Sequence, residues 1–92
     1  MKIQGQIKAI MPIKETATFR SIEFVVTDST NVQYLQHIPI QVTQGKCSLL
    51  DGFKVGDEVS VEVNVLGKEW QDTNTLQIKY FLSLNAWRIS KV

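Results

Sequence analysis

Residues 54–66, KVGDEVSVEVNVL, alternate apolar and polar side chains with a period of two. That period covers one face of a strand and cannot form the stripe of a helix. Val55, Val59, Val61, Val63 and Val65 are expected on one face, with Glu58, Ser60, Glu62 and Asn64 solvated on the other. A half-buried strand needs partners, and the rest of the chain supplies them.

Residues 2–13 place Ile3, Ile7, Ala9 and Met11 on one face and Lys2, Gln4, Gln6 and Lys8 on the other. Gly5 falls on the inward face, where a missing side chain lets a strand bend as barrel closure requires. PIKETAT, 12–18, reads as a connecting loop. A second strand over 18–27 sets Ile22, Phe24 and Val26 against Phe19, Ser21, Glu23 and Val25. DSTN, 28–31, is turn chemistry. A third strand, about 33–42, carries Ile38, Ile40 and Val42 on one face; Pro39, lacking an N–H, makes it an edge or bulges it. TQGKCSLLDGF, 43–53, spaces Cys47, Leu50 and Phe53 as a helix of about two turns ended by Gly52. After the valine strand, GKEWQDTNT, 67–75, reads as a polar loop with an exposed Trp70.

NTLQIKYFLSLNAWRI, 74–89, closes the chain as a strand apolar on both sides. Leu82, Leu84 and Ala86 share one face; Phe81, Trp87 and Ile89 share the other. One face is expected to fill the barrel and the other, with Trp87 packed in the core or an interface, to meet another copy of the protein. The order β-β-β-α-β-β over a single domain, residues 1–92, is all-β: a five-stranded OB-fold Greek-key barrel with one short helix between strands 3 and 4. Barrels of this kind bind oligonucleotides or oligosaccharides on strands two and three and the loops joining strands one to two and four to five.

Residues 19–25, Phe19, Arg20, Ser21, Ile22, Glu23, Phe24 and Val25, follow the pattern aromatic, basic, two variable positions, Glu, Phe, Val. With KVGDEVSVEV and YFLSLNAWRIS, this motif resembles a family of small bacterial OB-fold proteins of unknown function, similar to single-stranded DNA-binding proteins. The resemblance covers nearly the whole chain, implies the same fold, and carries no established activity.

Ninety-two residues with 43% hydrophobic and 21% charged content make one folded domain. Ten Lys or Arg against nine Asp or Glu leave a net charge of +1, so any basic site must be local. No segment reads as a signal peptide or membrane span. The single cysteine, Cys47, excludes an internal disulfide and fits a reducing, cytoplasmic location. His37 is the sole histidine; no metal cluster, cofactor site or catalytic triad can be assembled around it, and a non-enzymatic protein is expected. Cys47 reads as a small core residue rather than a nucleophile.

Single strands are held by aromatic platforms and a cationic groove. The candidates are Lys14, Phe19 and Arg20 around the first loop, His37 on the third strand, and Lys68, Trp70, Lys79 and Tyr80 in the last hairpin. Each has a plainer reading. Phe19 could cap the core and Arg20 pair with Glu15 or Glu23; His37 could be a solvated surface residue; Trp70 could serve an oligomer contact and Tyr80 a structural place. Stacking contributes about 1 to 3 kcal/mol per base, so two platforms offer roughly 2 to 6 where micromolar binding needs about 8. A homo-oligomer, dimer or tetramer, would close that gap by avidity. The sequence therefore points to a single-stranded DNA-binding module, with RNA less favoured. A protein-interaction or assembly module without nucleic-acid binding is the second reading, and oligosaccharide or small-ligand binding the third.

Overall fold

A computed structural model describes residues 1–28, 30 and 33–92. The strands are β1 (Lys2–Ile10), β2 (Lys14–Glu15), β3 (Arg20–Asp28), β4 (Gln36–Thr43), β5 (Glu58–Gln71) and β6 (Ile78–Lys91), with a 3-10 helix at Gln44–Leu50 between β4 and β5. The sheet order is β1-β5-β6-β4-β3-β2, and β1 also pairs with β3. Those pairings close the barrel and give an OB-fold. The sixth strand arises because Lys14 and Glu15, expected in a loop, fold back on Ser21 and Arg20. Part of the turn expected at 28–31 lies outside the described residues. Within it the Thr30 amide and hydroxyl donate to Asp28 Oδ1 and hold that carboxyl below the usual carboxylate range.

One cluster fills the barrel: Ile3, Ile7, Phe24, Val26, Ile40, Val42, Val59, Val61, Val63 and Ala86, closed at one end by Cys47 and Leu50. The helix is 3-10 and not α, so its side chains repeat every three residues. Cys47 and Leu50 thus line up on the barrel, and the Cys47 thiol donates to the Val42 carbonyl at 3.6 Å.

Two extra residues correct the faces read by alternation. In β1 the register with β3 shifts between Ile7 and Ala9. Lys8 is the inserted residue, so Ile10, and neither Ala9 nor the exposed Met11, packs on the core. In β6 the register with β5 shifts where Glu62 faces Arg88 and Val63 faces Ala86. Trp87 is the inserted residue here; it remains exposed, while Ile89 joins Ala86 and Leu84 at the core. A bulge switches parity for everything beyond it.

Pro39 causes no bulge. It sits opposite Val25 in an unbroken ladder of eight pairs between β3 and β4. Gln41, two residues on, makes the single parallel bridge to β6, at Asn85. Pro39 therefore lacks its N–H on the side facing β6, where β4 and β6 diverge.

The valine face is buried only at Val59, Val61 and Val63; Val55 precedes β5, and Val65 lies beyond the barrel. β5 runs on to Gln71, so most of the expected 67–75 loop is strand. The β1 backbone accompanies β5 only as far as Val63, and among the described residues β4 makes its one ladder bridge to β6 at Asn85. The remainder of β5 and β6 is a two-stranded ribbon projecting from the barrel. At about 3.3 Å per residue, a fourteen-residue strand accounts for the 46 Å long axis of the molecule.

Candidate nucleic-acid interface

The outer barrel wall over β3 and β4 carries Ser21, Glu23, Val25 and Thr27 beside Thr43, Gln41, Pro39 and His37. Lys14, Phe19 and Arg20 lie at its lower end, but Lys14 pairs with Ser21 on the outer face, whereas Arg20, paired with Glu15, has the opposite parity. Phe19 is exposed, fixed by a short turn in which the Thr16 amide donates to the Phe19 carbonyl and the Phe19 amide to Thr16 Oγ1. Arg20 lies 3.7 Å from a Glu15 carboxylate oxygen. Both side chains are more than half exposed, so this pair contributes at most about 1 kcal/mol and leaves the guanidinium free to exchange partners.

His37 sits at the upper end, opposite Thr27, with Nδ1 3.0 Å from Thr27 Oγ1. Seven residue steps along β3 separate Arg20 from Thr27, about 23 Å. Because β4 and β6 are parallel, the ribbon leaves the barrel at the His37 end. The eight candidates thus form two groups, Lys14, Phe19 and Arg20 below, and His37, Lys68, Trp70, Lys79 and Tyr80 above. Between them the wall carries Glu23 and no lysine or arginine.

Register sorts the ribbon residues by face. Gln41 pairs with Asn85, so the outer wall of β4 continues into the face of β6 holding Asn85, Ser83, Phe81 and Lys79. On the same face β5 contributes Leu66, Lys68 and Trp70. Trp70 lies directly opposite Lys79, and Lys68 directly opposite Phe81. Cations and rings therefore alternate diagonally over two adjacent pairs, with Trp70 and Phe81 half exposed at 50% and 54%. Tyr80 falls on the other face, opposite Glu69, with Ile78, Leu82 and Val65.

Phe81 is the residue that reading the sequence missed. Extending the alternation of β5 through Leu66, Lys68 and Trp70 was the available signal, because it makes 67–71 strand and fixes its partners. At the foot of the ribbon Asn85 Oδ1 is buried and receives no hydrogen bond among the described residues, leaving an acceptor beside Gln41. Also among the described residues, no three His, Cys, Asp or Glu side chains converge on a metal site.

The fold is that of solved single-stranded DNA-binding proteins. A crystal structure of the mitochondrial single-stranded DNA-binding protein Rim1 of S. cerevisiae superposes with a TM-score of 0.73 at 18% identity, covering 100% of this chain and 92% of that one. A selenomethionine-labelled structure of the same protein gives 0.75 at the same identity and coverage. No match was found among curated proteins. A family model described as a domain of unknown function, DUF3127, matches residues 2–90, and the chain belongs to that family.

Proposed function

We propose that the protein is a non-enzymatic module that binds single-stranded DNA, acting as a homo-oligomer in the cytoplasm in replication, repair or transfer of DNA. The observation that carries this reading is the ribbon face on which Trp70 opposes Lys79 and Lys68 opposes Phe81, continuous with the outer wall of β4. Rings offer stacking platforms to any base, and the intervening ammonium groups meet the phosphates. Lys14, Phe19 and Arg20 supply a second group at the far end of the wall. The likeness of the barrel to Rim1 supports the same reading.

The test is fluorescence anisotropy of labelled oligo-dT at 50 and 200 mM salt against a duplex of equal length. Single-strand-selective binding that weakens with salt, by a log–log slope of about −0.7 per phosphate contacted, is expected. Absence of binding at tens of micromolar protein would refute it.

Glu23 stands between the two groups and repels a phosphate track. Glu23→Gln is expected to tighten oligo-dT binding about two- to fivefold, as removal of one like charge near the surface allows, with no change in thermal midpoint. An unchanged affinity would mean that the strand does not cross the β3–β4 wall.

A protein-interaction module is favoured by one other observation, the exposed apolar side chains of Ile78, Tyr80 and Leu82 on the opposite ribbon face. The two readings separate on the same titration, because only the first requires nucleic acid.

A further inference from the structure

The ribbon has one protected and one unprotected edge. Beyond Val63, β5 carries Asn64, Val65, Leu66, Gly67, Lys68, Glu69, Trp70 and Gln71, and of these the adjacent charges Lys68 and Glu69 discourage edge pairing. On β6 the segment IKYFL, 78–82, is strongly β-forming and has only Lys79 to guard it.

The backbone geometry of that edge follows from the hairpin. The Asp72 amide donates to the Gln77 carbonyl at 2.9 Å. Antiparallel ladders alternate, so the backbone groups of Lys79 and Phe81 face β5, whereas those of Ile78, Tyr80 and Leu82 face away from it. No strand pairs with these groups among the described residues, since the one ladder bridge from β4 to β6 is at Asn85.

We propose that this edge pairs with the same edge of a second copy, antiparallel about a two-fold axis at Tyr80. This deepens the oligomeric part of the function proposed above. In this register Ile78 faces the partner's Leu82 and Tyr80 the partner's Tyr80, so the groups that point outward on one copy meet those of the other. Lys79 faces the partner's Phe81, a cation over a ring, and the two Lys79 ammonium groups are kept apart.

Leu76, exposed at the hairpin tip with φ of 59°, lies beyond the paired strand and arrives near the partner's Leu82, short of the point where β4 takes over the edge of β6. A groove of about 350 Å³ lies there, lined by Pro39, Ile40, Leu82 and Leu84, where β4 and β6 part. A specific interface needs about 1,000 Å² across both copies, and an edge of five residues a side, Ile78–Leu82, stands at the small end of that class. A dimer that forms at micromolar concentration is therefore expected, not an obligate one. The product is a four-stranded sheet with the Trp70, Lys68, Lys79 and Phe81 clusters of both copies joined on one side.

Sedimentation equilibrium of the full chain without nucleic acid tests this separately from DNA binding. Wild type is expected at twice the 10.5 kDa chain mass by tens of micromolar. Leu82→Pro is expected to be monomeric: its lost N–H points outward and costs no bond to β5. As a check independent of that variant, Lys79→Cys and Phe81→Cys are mixed under mild oxidation with buried Cys47 retained. Disulfide dimers should form in the mixture well above either variant alone. A wild-type monomer at 200 µM overturns the proposal, as does a dimer that survives Leu82→Pro and gives no cross-link in the mixture.

Discussion

Replacing Trp70 and Phe81 together by alanine is expected to weaken oligo-dT binding by at least about 30-fold. Each ring offers about 1 to 3 kcal/mol of stacking, and two such losses multiply if the rings serve different bases. They lie on the same face, on neighbouring strands and adjacent cross-strand pairs, which suits successive bases of one strand. Neither contributes to the barrel core, so circular dichroism and the thermal midpoint should hardly change. Phe81 also borders the edge inferred to pair with a second copy, and the single variant Trp70→Ala separates the two effects. Its loss of affinity should come with unchanged mass. Undiminished binding by the double variant would place the nucleic acid elsewhere or remove it from the function altogether.

How far such a site can be read before folding depends on where parity is preserved. The alternation of Val59, Val61 and Val63, and of Ile22, Phe24 and Val26, fixed the inward faces correctly because those strands carry no inserted residue there. At Lys8 and Trp87 an inserted residue reverses the alternation, and no side-chain pattern announces it: Ala9 and Ile10 are both apolar, as are Trp87 and Ile89. Pro39 was legible as an edge signal, and it marks the point where β4 leaves β6. The β5 half of the ribbon was not legible as strand, although the β6 half was. Lys68, Glu69, Gln71 and Asp72 have the polarity of a loop because the ribbon has no core beneath it, and a strand solvated on both faces loses the contrast that period-two reading needs. The same loss hid the pairing of Lys68 with Phe81 and put Tyr80 beside Trp70 in sequence logic when register sends them to opposite faces. Lys14, Phe19 and Arg20 lie near one another along the chain, but register sends Lys14 and Arg20 to opposite faces, and about 23 Å of wall divides them from the ribbon.

Gly5→Ala is expected to destabilise the protein by about 3 kcal/mol, at the upper end of what overpacking costs. A Cβ on Gly5 would fall on the Thr27 carbonyl oxygen, 2.8 Å from the Thr27 carbonyl carbon and 3.0 Å from Val26 Cγ1. Two of these three are backbone atoms of β3 and cannot rotate away. The contact is tight because β1 changes partners here, leaving β5 after Gln6 and joining β3 from Gln6 onward, so β1 crosses β3 at its closest approach. The φ of Gly5 is not positive, and the cost is one of space rather than of backbone conformation. Gly67→Ala is the matched control, with nothing within 4 Å of the added methyl. It should be neutral, or stabilising by up to about 1 kcal/mol through the unfolded chain. In a domain of this size a loss of 3 kcal/mol lowers the thermal midpoint by roughly 12 to 24 °C. Equal midpoints for the two variants would mean that β1 does not cross β3 at Gly5, and the barrel closure that positions the β3–β4 wall would have to be redrawn.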